Sequence, residues 1–178
     1  MVSHAREDAS TVEVVMKSES FIAWAAGCVA LGLVTASGAA VAADGTRDGS
    51  ASCEAAVGSG YAPWVGEVKF HYEIKGNVAR VTTTQYRMYS PHVSGRNKGN
   101  VNSDLRVWNN VDGSGAGTPF KAVESPDAMI QDGQWHTLNQ TVGGDVGFAP
   151  RQLRAAVKFI FDNDMADPSC WAEQVQTF

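Results

Sequence analysis

Between residues 153 and 161 every second side chain is apolar: Leu153, Ala155, Val157, Phe159 and Phe161, with Arg154 and Lys158 among those between them. A strand sends successive side chains to opposite faces, whereas a helix needs apolar residues every three to four positions, so this spacing buries one face only as a β-strand. The same alternation recurs at Val68, Phe70, Tyr72 and Ile74, interleaved with Lys69, His71 and Glu73. Gly76-Asn77 then supplies a turn, and residues 78–90, rich in Val, Thr and Tyr, predict the second arm of a β-hairpin.

After Pro91 the polar residues 92–100 read as a connection. Residues 101–111 predict a strand with Leu105 and Val107 on one face and Trp108 on the other, followed by the glycine-rich loop of residues 112–117, DGSGAG. A short strand is expected over 120–124 and a turn at Asp132-Gly133. A strand over 135–142 sets Trp135 and Thr137 against His136 and Leu138, with Gly143, Gly144 and Gly147 opening a further loop. Residues 171–178 complete the set. No helical period is sustained, so the expected fold is all-β: an antiparallel β-sandwich, immunoglobulin-like or jelly-roll-like, over residues 63–178.

The ends of the chain point to export. Residues 21–34 are apolar but too few for a bilayer span of about 20 residues, and Ala40-Val41-Ala42 has the small-x-small pattern of a signal-peptide cleavage site. Residues 1–42 are therefore read as leader and signal peptide, with cleavage after Ala42 and the natural start at Met16, whose Lys17 directly precedes the apolar run. Ala25-Ala26-Gly27-Cys28 has the letters of a lipoprotein box, but the apolar core lies mostly after the cysteine. Of three cysteines, Cys28 leaves with the leader, and Cys53 and Cys170 remain to form one disulfide in an oxidising compartment. Removal of residues 1–42 takes two of 14 basic and four of 19 acidic residues, leaving 12 against 15 and a net charge of −3. That balance excludes nucleic acid and anionic membrane as partners, since both need basic stripes. Residues 43–62, dominated by Ala, Gly and Ser, offer almost nothing large enough to bury and read as a flexible N-terminal arm.

Candidate chemistry is sparse. Asp162, Asp164 and Asp167, with Asn163, could offer oxygen ligands to calcium, but their spacing matches no loop of fixed geometry. Strand-ending hydrogen bonds with Pro168 enforcing a turn account for every residue there, so no metal site is expected. His71, His92 and His136 lie in separate segments without ligand spacing. Ser114 has Asp112 where a nucleophile elbow needs glycine, and Gly117 is followed by Thr118 and Pro119, which breaks a phosphate-loop pattern. No catalytic residue and no cofactor are expected. Trp64, Trp108, Trp135 and Trp171 raise the question of a sugar-stacking platform, though a sandwich of this size buries several such rings as core. Asn139-Gln140-Thr141 is a glycosylation sequon, meaningful only in a eukaryotic secretory pathway.

In layout, a signal peptide, a small-residue arm bearing Cys53, a β-domain and a terminal KFIFDNDMADPSCWAEQVQTF carrying Cys170, the chain resembles small secreted actinobacterial proteins. Among these it is similar to the adaptor component of umbrella toxin particles. The resemblance implies a non-enzymatic adaptor that uses its arm to join protein components of an extracellular complex; it carries over no binding residue. The alternative is an extracellular carbohydrate-binding module.

Overall fold

The computed structural model describes residues 44–56, 62–90, 96–164 and 166–178. The expected leader and cleavage site, the start at Met16, Cys28 and His92 lie outside them. Nine strands are named among the described residues: β1 (Gly45–Ala55), β2 (Trp64–Lys75), β3 (Val78–Tyr89), β4 (Arg96–Trp108), β5 (Thr118–Pro119), β6 (Met129–Gln131), β7 (His136–Asp145), β8 (Gln152–Ile160) and β9 (Ser169–Thr177). One sheet has the order β1-β2-β3-β7 and the other β5-β4-β8-β9, with β6 also paired to β4. All pairs are antiparallel, and the two sheets enclose one core, so the fold is the expected β-sandwich. No helix among the described residues is long and apolar enough to cross a membrane.

The alternating residues supply that core. Val68, Phe70, Tyr72 and Ile74 of β2 face Leu153, Ala155, Val157 and Phe159 of β8, all at most 2 % exposed. The ring of Trp64 packs 5.5 Å from that of Phe161, closing one end. Burial of Tyr72 pushes its hydroxyl pKa up, and the hydroxyl donates to the Gln174 carbonyl at 3.3 Å.

The main correction concerns the N-terminal arm. Gly45–Ala55 is not a loose segment but an eleven-residue edge strand, paired with β2 from Gly45↔Ile74 to Ala55↔Trp64. Its inward residues are small because β9 of the other sheet passes close beneath. A Cβ on Gly49 would collide with the Gln174 side chain, and Ala51 and Cys53 pack against the core rim. Cys53 and Cys170 are disulfide-bonded with Cα atoms 5.8 Å apart, which joins the edge strands of the two sheets.

Three smaller differences share a cause, the demands of neighbouring strands. Residues 96–100, read as a connection, begin β4, because β6 and the end of β8 offer partners there: Arg96↔Gln131 and Asn100↔Ile160. The short strand expected over 120–124 reduces to a bridge in which Ser103 and Val123 exchange two 2.9 Å bonds, preceded by the two residues of β5. Pro119 has no N–H with which to extend that ladder. Gly143 and Gly144 belong to β7 and not to a loop, since β3 continues to pair with them through Arg80 and Ala79.

Candidate functional site

The site is created by a change of phase within β3. From Ala79 to Thr83 the odd-numbered residues point inward, whereas from Tyr86 onward the even-numbered ones do. The register explains the switch: Phe70 pairs with Thr83 and Lys69 with Gln85, so Thr84 is an extra residue, a β-bulge, whose hydroxyl donates to the Lys69 carbonyl at 3.1 Å. Beyond the bulge Gln85, Arg87 and Tyr89 are turned to the outer face, beside Lys69, Glu67 and Val65 of β2. Without the extra residue Arg87 and Tyr89 would aim into the core and Tyr86 and Met88 into water.

Onto this face folds the turn between β6 and β7. Asp132 Oδ1 accepts the Gln134 N–H at 2.9 Å, and Gly133 N donates to the Met88 carbonyl at 3.1 Å. Ile130 N donates to the Tyr86 hydroxyl at 3.0 Å. His136 Nε2 lies 2.8 Å from Asp132 Oδ1, with its ring stacked on Tyr86 at 5.4 Å. That bond to His136, with the Gln134 N–H second, holds the Asp132 carboxyl below the usual carboxylate range. Burial raises the Tyr86 hydroxyl.

The turn is thus fixed at several points, and it presents Trp135 outward, 36 % exposed. Lys69 Nζ lies 4.4 Å and Arg87 Cζ 5.1 Å from the Trp135 ring centroid, and the same guanidinium is 5.4 Å from the Tyr89 ring. Arg87 is also ion-paired with Glu67, whose carboxylate pushes the guanidinium further up, and Lys69 donates to Gln85 Oε1 at 3.0 Å. Each long side chain is therefore held before any ligand arrives. The result is a patch of Trp135, Tyr89, Arg87 and Lys69 on one sheet face, in which Trp135, Tyr89 and Arg87 are of the residue types that dominate binding energy in protein interfaces.

The tryptophans divide by environment. Trp64 is core; Trp108 is half-buried and donates from Nε1 to the Gly115 carbonyl at 3.1 Å, holding the glycine-rich loop. Trp135 and the 49 % exposed Trp171 of β9 belong to opposite sheets, so they do not form one stacking platform. His71 sits beside Asp48 at 2.7 Å on β1 and β2 and takes no part in the His136–Asp132 pair. Ser114 N donates to Asp112 Oδ1 at 2.9 Å, and this contact holds the Asp112 carboxyl below its ordinary range. The Ser114 hydroxyl accepts from Asn110 Nδ2 at 2.8 Å.

The acidic segment after β8 closes on itself. Asn163 N donates to Asp167 Oδ1 at 3.1 Å, Asp164 N to Asn163 Oδ1 at 2.9 Å, and Phe161 N to the Pro168 carbonyl at 2.9 Å. These are turn bonds of the kind Asp and Asn make at strand ends. Among the described residues no group of three or more His, Cys, Asp or Glu side chains is placed to hold a metal ion.

Sequence reasoning singled out Trp135 but not Arg87, Tyr89 or Lys69 as its companions. The signal was present: Ala79 and Val81 are two apart, Tyr86 and Met88 are two apart, and the odd gap of five between Val81 and Tyr86 marks a slip of phase. Comparison with known proteins finds no family model, no curated protein and no solved structure that matches this chain.

Proposed function

We propose that this protein is a secreted, non-catalytic interaction module, an adaptor that links components of an extracellular protein complex such as an antibacterial toxin particle, and that it docks a protein partner on the Trp135 face. The observation that carries the reading is the prearranged cluster of Trp135, Arg87, Tyr89 and Lys69. Aromatic and arginine anchors that are already ordered lose little entropy on binding, which is how a flat sheet face gains affinity. The Cys53–Cys170 bond fits an oxidising compartment.

The test is affinity capture from the culture supernatant of the source organism with the tagged mature chain, followed by the same experiment with Trp135→Ala and Arg87→Ala. A defined large partner retained by the parent chain and lost by both variants supports the proposal. Equal capture by all three removes the Trp135 face from it. The carbohydrate-binding reading rests on Trp171, whose ring is half exposed on the outer face of the other sheet opposite Lys158. Glycan-array binding abolished by Trp171→Ala and untouched by Trp135→Ala would favour it.

A further inference from the structure

At the far end of β7 from Trp135, the connection from β7 to β8 and the loop after β4 flank an open surface cavity of about 450 Å³ lined by Asn109, Asn110, Val111, Phe148, Ala149 and Arg151. Its volume is in the range of ligand pockets. One wall is apolar, and Val111 is 51 % exposed at its mouth. The other wall carries a cation and two carboxamides, and it holds two orphaned atoms. Arg151 Nε, a donor, and Asn110 Oδ1, an acceptor, are closed to solvent and have no hydrogen-bond partner. Unmatched buried polar atoms cost free energy and are rare in native structures unless something else satisfies them.

The frame around these atoms is rigid. Arg151 N donates to the Trp108 carbonyl at 2.8 Å and its carbonyl accepts from Phe178 N at 2.9 Å, so the backbone of Arg151 is held on both sides. Gln152 Nε2 donates to the Val111 carbonyl at 2.8 Å, and Asn110 Nδ2 is committed to Ser114. With its amide nitrogen occupied, Asn110 has only its oxygen left to offer.

We infer that this cavity is a receptor for the C-terminal residue of a partner polypeptide: its free carboxylate on Arg151, its backbone N–H on Asn110 Oδ1, and an apolar side chain against Val111, Phe148 and Ala149. The complementarity is specific to a chain end. A carboxylate and an N–H donor on one carbon, with an apolar group on that same carbon, is what the last residue of a peptide presents, and guanidinium is the side chain best matched to a carboxylate. The ten residues of β7 separate this pocket from the Trp135 patch by about 30 Å at roughly 3.3 Å per residue, so the two sites are independent of one another. A module with two such surfaces can hold two partners at once.

The test is calorimetric titration of the mature chain with an acetylated pentapeptide ending in a free leucine carboxylate, with the same peptide as its C-terminal amide, and with N-acetyl-leucine. The expected result is binding of the acid and loss of binding with the amide. Arg151→Gln, which keeps both backbone bonds, should weaken the acid by about tenfold to a hundredfold, the worth of a charge-assisted contact. Val111→Asp, at an exposed position that does not threaten folding, should weaken it by charge repulsion, and Trp135→Ala should leave it unchanged. Equal binding of acid and amide, no binding of either, or an unaltered Arg151→Gln would overturn the inference. N-acetyl-leucine, which carries the same carboxylate, N–H and apolar side chain on one carbon, should also bind, and its failure to bind where the pentapeptide binds would overturn the three-point assignment.

Discussion

The ring of Phe159 fills the space that a side chain at Gly66 would need. Gly66 pairs with Cys53 across β1 and β2, and Phe159 pairs with Cys170 across β8 and β9. The disulfide and the Gly66–Phe159 contact are therefore neighbouring rungs of one closure, where a methyl group is already too much. Gly66→Ala is expected to destabilise the fold by about 1 to 3 kcal/mol, as overpacking of a full core does. Thermal or denaturant unfolding checks it. A compensating Phe159→Leu should recover part of the loss if the ring is the obstacle.

Breaking the disulfide should cost about 2 to 5 kcal/mol, because the bond closes a loop of 117 residues and so restricts the unfolded chain. Cys53→Ser with Cys170→Ser is the variant to measure, since it leaves no free thiol. Denaturing alkylation without reductant should label neither cysteine of the parent protein. Labelling of both would refute the bond.

A polar chain runs through the interior where β3, β4 and β7 meet. Ser103 donates to Gln140 Oε1 at 2.6 Å, which leaves Thr83, 2.7 Å away and fully buried, to donate to Ser103. Ser103→Ala orphans both neighbours and should cost about 1 to 3 kcal/mol. Adding Thr83→Val to Ser103→Ala should cost less than the sum of the two single changes, because the second substitution removes a hydroxyl the first had already stranded. Additive losses in a double-mutant cycle would show that the hydroxyls do not act together.

Asp132 provides a pH signature. Its carboxyl is held below the usual range in the folded protein, so it contributes stability above the unfolded value of about 3.9, and that contribution is lost as pH falls through the lower folded value. Asp132→Asn should therefore be less stable than the parent at neutral pH, by less than about 1 kcal/mol because the pair is partly exposed, and the difference should fade on acidification. Melting curves from neutral pH down past the carboxylate range test this. A difference that persists at the acid end would mean the effect is not one of charge.

Period-2 alternation at residues 68–74 and 153–161 determined that the chain is a half-buried antiparallel sheet, because only a strand turns such a pattern into one dry face. Two cysteines beyond the expected leader determined the disulfide, since neither has another partner. The turn at Asp164 and Asp167 was likewise legible, because the bonds from Asn163 N to Asp167 and from Asp164 N to Asn163 are local, whereas the bond from Asp162 N to Gln131 Oε1 reaches a distant strand. The N-terminal strand was not legible. Gly49, Ala51 and Cys53 have small side chains because β9 lies against them, and local composition reports small residues identically whether they border another strand or open solvent. Nor was the Trp135 patch, which brings together Lys69 of β2, Arg87 and Tyr89 of β3 and the residue before β7. The phase slip around Thr84 is written in the chain, but which residues it turns toward Trp135 depends on strand pairing between segments some 50 residues apart, and pairing of that range is decided only when the sheets close on their common core.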